Sequence, residues 1–323
     1  MLIISEQVAR TLVSVEDAIA AVEQCFAAMA RQEARNYPVV REVVGYRDAV
    51  YGVKAGCDTS APLLGLKAGG YWPHNAGRDL GNHQSSTLLF DPDTGRASAL
   101  VSANYLTGVR TGAASAIATR HLSRPDSTVL GIVGAGVQSH HQLRATLAVR
   151  AIRQVHAWDP SPENLAAFGR LVEQLGLEFM PQTEVEAVAA HADILITATP
   201  SQKALVQRSW VRCGTHINAM GADTRGKQEL DPTLVAAAAL FVDEVEQAIR
   251  IGECQHAYDA GHITEQSFRG SIGAVIEGAC DGRRTADEIT LFDATGVALQ
   301  DLAVAELAVR TARRQGLGSS VDY

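Results

Sequence analysis

Cysteine is scarce in this chain and shows no pairing pattern. The five present (Cys25, Cys57, Cys213, Cys254 and Cys280) are scattered, with no CxxC pair. An odd, dispersed set argues against a disulfide frame or a cysteine zinc site and suits reduced thiols in a cytoplasm. Histidine spacings such as HExxH are also missing, so no metal is expected. Unbroken apolar runs fall short of the ~20 residues a membrane helix needs, and the first residues lack the pattern of a secretory leader. Lysine and arginine form no block, and the formal net charge is −8, which argues against nucleic acid as a partner. The expectation is a soluble cytoplasmic protein that binds no membrane. A local group of cations can still take a small anion.

What is present is length and pattern. The 323 residues, 46% hydrophobic and 20% charged, suit two globular domains. Ser14 and Asp17 signal a helix start before Ile19, Val22, Phe26 and Met29, which share one face. Between about Val39 and Val101 the chain turns to short β-like runs broken by glycine, with "DPDTG" as a hairpin turn. "SANYLTGVRTGAASAIATRHL" then reads as a helix. After Arg124-Pro125, the apolar runs "TVLGIVGAG", "QVHAWD", "DILITATP", "GTHINAMG" and "ALFVDE" alternate with helical segments. That alternation predicts a parallel, doubly wound sheet. The expected domains are residues 1–122 and 123–299. The tail "LQDLAVAELAVRTARRQG" sets Leu299, Ala303 and Leu307 at helical spacing and ends at Gly316, and the C-terminal helix, 300–323, is expected to pack back on the first domain.

"GIVGAGVQS" sets Gly134 and Gly136 between a strand and a helix, where Gly134 permits a tight turn and Gly136 a close approach of backbone to a pyrophosphate. Val137 and Gln138 open that helix and join the cofactor set. Ser139 stands where the usual fingerprint has a third glycine. Asp159, ending "VHAWD", sits where an acid meets the adenosine ribose. Ser161 and Pro162 already serve as cap and first helical residue, which leaves the aspartate available. An acid at this point repels a 2′-phosphate, so NAD(H) is favoured over NADP(H). Thr199 and Pro200, and then Met220 and Gly221, follow the fourth and fifth strands, at the strand ends where cofactor is expected.

"GLKAGG", "LTGVRTGAASAIATRHL", "GIVGAGVQSHHQ", "HINAMGADTRGKQELDP" and "ITLFDATGVALQDLA" together resemble the ornithine cyclodeaminase/μ-crystallin family, over nearly the whole chain. The resemblance implies an α/β fold: a Rossmann-type doubly wound parallel sheet plus an α+β substrate-binding and dimerisation domain. The implied state is a homodimer, the implied cofactor NAD(H), and the implied substrate a small amino or imino acid. Carried over by position, Lys67 and Arg110 hold the substrate α-carboxylate, helped by Arg41, and Asp223 is the catalytic aspartate that exchanges a proton with the substrate nitrogen. Lys67 is counted with the catalytic set, and Thr111, Thr295 and Gly296 with the cofactor. A guanidinium fork and an ammonium suit a carboxylate on chemical grounds as well. Threonines and small residues around Arg110 indicate a buried charge that needs a partner.

Ornithine cyclodeaminases carry an acid thirteen positions before this lysine; here the residue is Lys54. A cation there repels a distal ammonium and attracts a second anion. Tyr71, His74, Asn82, His83 and Arg225 add basic and hydrogen-bonding groups, of which Lys54, Tyr71 and His83 are the candidates for a distal carboxylate. The pattern is most similar to the iminosuccinate reductase branch, implying NADH-dependent reduction of a dicarboxylic imino acid. Ornithine cyclodeamination, alanine dehydrogenase and ketimine reductase are the alternatives within the family. A non-catalytic cofactor-binding role is the alternative outside enzymology.

Overall fold

The computed structural model describes residues 1–78 and 80–322. The chain forms two compact units, Met1–Arg110 with the segment from Val297 onward, and Thr111–Gly296. The division falls inside the helix Asn104–Leu122, at Arg110, rather than at residue 122 where the sequence pattern changes. The helical run hid it: an alanine-rich helix continues through the boundary without a break in composition. Among the described residues no helix is long and apolar enough to cross a membrane.

In the first unit an eight-stranded sheet is built largely from antiparallel neighbours. Its centre is a run of hairpin-linked strands: Val50–Asp58, Leu63–Tyr71, His83–Phe90 and Ala97–Ser102. Asp91 closes the last hairpin as expected, its Oδ1 accepting from Asp93 and Thr94 N–H at 2.9 and 3.0 Å. The edge strand Val40–Val43 pairs with Val50–Asp58. Helix Val15–Ala30 is capped by Ser14, whose Oγ accepts from Asp17 N–H at 3.1 Å, and buries Ile19, Val22 and Phe26. The closing helix Ala298–Gln315 packs on Val15–Ala30 and on the central strands, and stops at Gly316 in the left-handed conformation, φ +68°. Its inner face is Leu299, Leu302, Ala305, Val309 and Ala312, while Ala303 and Leu307 are only half-buried. The glycine-rich stretch around Lys67 is thus a central strand covered by a helix.

The second unit is an eight-stranded sheet whose pairings are all parallel. In spatial order its strands are Glu178–Pro181, Gln154–Trp158, Val129–Val133, Ile194–Thr197, His216–Ala219, Thr290–Asp293, Ala239–Val242 and Phe268–Ser271. The chain winds outward from Val129–Val133 in one direction, then returns to its other side with Ile194–Thr197. That reversal is the topological switch point, and ligands of such sheets bind beyond the strand C-termini there.

Candidate substrate and cofactor sites

Directly opposed residues of an antiparallel pair project from the same face, so the register sorts the first unit's candidates into rows. Lys67 lies opposite Lys54 on one side and Thr87 on the other. In the next row Gly69 lies opposite Gly52 and Ser85, and Arg41 lies opposite Gly52. One row further, Tyr71 lies opposite Val50 and His83. Arg41, Lys54, Lys67, Tyr71 and His83 therefore share one face. Lys67 and Arg110 are buried, Lys54 and Arg41 half-buried, and Tyr71 and His83 exposed. Asn82 Nδ2 donates to the Tyr71 hydroxyl at 3.2 Å, while His74 pairs at 3.4 Å with Asp48 on the surface.

Arg110 has the buried partner its surroundings called for. Its Nε and Lys67 Nζ each donate to Asp301 Oδ1 at 2.9 Å, and its Nη1 donates to Gln300 Oε1 at 2.9 Å. Burial lowers the Lys67 ammonium to about 8, with Asp301 opposing the shift and Arg110 and Lys54 adding to it. For Asp301 burial acts upward, but Arg110, Lys67 and Lys54 override it and hold the carboxyl at about 2. Two cations thus share one oxygen of one carboxylate, and the group retains positive charge for an incoming anion. Asp301 and Gln300 escaped the sequence reading. Their only signal was a glutamine and an acid on the apolar face of "ALQDLAVAEL".

In the second unit Gly134 takes φ +93°, and a Cβ there would meet Thr199 Cγ2 at 2.7 Å and Ala198 O at 2.8 Å. Gly136 is different: a Cβ would have nothing within 4 Å. It opens helix Val137–Leu147 with no side-chain cap, and Val137 beside it is 81% exposed. Ser139, in place of a third glycine, is buried and donates its hydroxyl to Gly134 O, closing the loop. Asp159 is not left over after Ser161 caps its helix, as the sequence indicated: Oδ2 accepts from Ala135 N–H at 2.7 Å and Oδ1 from Ser161 N–H at 2.8 Å. It braces the glycine loop. An uncapped helix start, a bare glycine and a carboxylate at the end of the neighbouring strand fit a dinucleotide's pyrophosphate and ribose.

The other cofactor candidates sit on a frame of buried acids. Glu229 accepts from Thr197 Oγ1 at 2.7 Å, Thr199 N–H at 2.6 Å and Gly221 N–H at 3.0 Å, tying two strand ends together. A Cβ on Gly221 would fall 2.6 Å from the Glu229 carboxyl carbon, which is why glycine is needed there. Asp243 accepts from Thr295 Oγ1 at 2.9 Å and Gly296 N–H at 2.7 Å. Met220 is buried, Thr111 and Gln138 are half-buried, and Pro200 is exposed. Asp223 is half-buried and bound at Oδ1 by Lys227 Nζ, 2.7 Å, which also reaches Gly221 O at 3.2 Å. Lys227 was another unrecognised member, visible only as the fourth residue after Asp223 in "DTRGK". Arg225 is exposed.

A Rossmann-type unit with an open glycine loop, together with an α+β unit bearing clustered cations on one sheet face, defines a dinucleotide-dependent oxidoreductase. The chain belongs to the ornithine cyclodeaminase/mu-crystallin family, whose model matches residues 1–315. It is 49% identical over 322 residues to the iminosuccinate reductase of Paracoccus denitrificans, covering 100% of both chains. That enzyme's crystal structure in complex with NAD+ superposes with a TM-score of 0.95, covering 100% of this chain and 99% of the other. A NAD-bound dimer of an archaeal alanine dehydrogenase, 36% identical, also gives 0.95, covering 100% of this chain and 99% of that one.

Proposed function

We propose that this protein is an NADH-dependent imine reductase that converts iminosuccinate to aspartate. The carrying observation is that Lys54 lies directly opposite Lys67 on one sheet face, in a chain 49% identical over its full length to an iminosuccinate reductase. Two ammonium groups plus Arg110, with one buried carboxylate among them, favour a dianion and repel the distal ammonium of ornithine.

In this reading Lys67 and Arg110 anchor the α-carboxylate, aided by Arg41, and Lys54, Tyr71 and His83 attend the distal one. Gly134, Gly136, Val137, Gln138 and Asp159 would hold the dinucleotide, with Thr111, Thr199, Pro200, Met220, Gly221, Thr295 and Gly296 completing its seat. Bound NADH supplies the hydride that reduces the imine carbon. Asp223, oriented by Lys227, delivers the proton to the nitrogen. The balance is one imine, one NADH and one proton giving one amine and NAD+. The unpaired thiols suit a reducing cytoplasm. The exposed Val40, Val43, Val44, Tyr46 and Tyr51 on and beside the edge strand suit a homodimer contact.

The test is NADH oxidation by the purified protein with iminosuccinate formed in situ from oxaloacetate and ammonia, aspartate being identified as product. Turnover of ornithine to proline without net NADH change, and none of iminosuccinate, would refute the proposal.

A further inference from the structure

Two buried hydroxyls on the cation-bearing face of the first unit, Ser85 Oγ and Thr87 Oγ1, have no hydrogen-bond partner among the described residues. Unpaired buried hydroxyls are disfavoured, and one in a native fold points to a missing ligand or water. Thr87 belongs to the Lys67 row, whereas Ser85 stands one row on, directly opposite Gly69. That next row reads Arg41, Gly52, Gly69, Ser85 across four strands. Its two middle members carry no side chain, so its floor is bare backbone with Arg41 and Ser85 at the ends. The floor resists filling: a Cβ on Gly69 would lie 2.5 Å from Ser85 Cβ, and one on Gly52 would lie 2.7 Å from Val40 O. Ser85 itself is fixed in place. Its N–H donates to Asn104 Oδ1 at 2.7 Å and its carbonyl accepts from Ala103 N–H at 3.0 Å. The backbone is held while the hydroxyl stays unused.

We infer that this glycine-floored row is the subsite for the substrate's distal carboxylate, and that Ser85 donates a hydrogen bond to it as a specificity-determining residue. The inference rests on the reading of the protein as a reductase of a dicarboxylic imine. Same-face rows of a strand lie about 6.7 Å apart, and a four-carbon diacid spans roughly 6 Å between its outermost oxygens. A substrate anchored by its α-carboxylate among Lys67, Arg110 and the long side chain of Arg41 therefore brings its second carboxylate over Gly69, beside Ser85 and between the row of Lys54 and that of Tyr71 and His83. A three-carbon imino acid has nothing to offer there.

The experiment compares Ser85→Ala with the unaltered protein, using NADH with iminosuccinate and, separately, with 2-iminopropanoate formed from pyruvate and ammonia. The expected result is a KM for iminosuccinate raised about tenfold, with the KM for NADH, the kinetics on 2-iminopropanoate and the thermal midpoint unchanged. An unchanged KM for iminosuccinate overturns the inference. Equal losses on both substrates overturn it too, by moving Ser85 to the α-carboxylate end, as does a lowered midpoint with selectivity intact. If the unaltered protein oxidises no NADH with iminosuccinate, the functional reading has failed. Calorimetric binding of succinate then tests the subsite alone: about tenfold weaker binding to Ser85→Ala supports it, and equal binding rejects it.

Discussion

Lys54 and Lys67 are direct cross-strand partners, on the strands Val50–Asp58 and Leu63–Tyr71. Like charges opposed in this way destabilise a sheet, so the pairing calls for negative charge close by. Asp301 supplies part of it from within the fold, and in the proposed reaction the substrate supplies the rest.

Removing the internal part should be costly. Asp301→Asn keeps the shape but leaves Lys67 and Arg110 buried without their shared carboxylate. Breaking a buried ion pair from one side typically costs about 3–5 kcal/mol. Denaturant unfolding should report a loss of that order, and a change below about 1 kcal/mol would mean the three groups are far better solvated than their burial indicates.

Substrate anchoring should depend on pH through Lys67. Its ammonium is lowered to about 8 in the folded protein, from the 10.5 of an ordinary lysine. The charged form is needed to hold a carboxylate, so kcat/KM for iminosuccinate should fall as pH rises through about 8. Stability should move the opposite way. The unfolded lysine binds more protons over this interval, so the penalty for the buried charge is relieved as pH climbs from about 8 towards 10.5. A kcat/KM profile flat across that range would contradict the assignment.

The two loop glycines should fail differently. Gly136→Val projects into open space at an ordinary φ of −75°. It should leave stability within about 0.5 kcal/mol while weakening NADH binding at least about tenfold, since a bound pyrophosphate needs that space. Gly134→Ala meets Thr199 and Ala198 at a positive φ and should lower the thermal midpoint as well. Fluorescence titration with NADH, run beside thermal melts, separates the two.

The exposed edge offers a check on assembly. Val43 is 74% exposed on the strand Val40–Val43. In the proposed homodimer, Val43→Lys should shift the particle from dimer to monomer in light scattering, because a charge on an exposed β edge blocks pairing. A dimer that persists unchanged would put the contact elsewhere.

The parallel sheet, its glycine loop and the helix caps at Ser14 and Ser161 were legible in sequence because they depend on local patterns: alternation, turn residues and capping side chains. The row architecture was not. That Lys54, Lys67 and Thr87 align, and that Gly52 and Gly69 form a bare floor, follows from register across three strands, which no short window encodes. Asp301 lies 234 residues from Lys67, and Glu229 acts by gathering backbone N–H groups from two strand ends. Such partners are chosen by tertiary packing. Asp159 was found for its position, but its bracing of Ala135 was hidden, since a strand-end acid reads the same with or without that bond.

The measurement that bears most directly on the proposed function is the selectivity of Lys54→Met. The ratio of kcat/KM for iminosuccinate over 2-iminopropanoate should fall about tenfold or more, while Lys67→Met loses activity on both. A ratio left unchanged by Lys54→Met would contradict the claim that paired cations on this sheet face select a diacid.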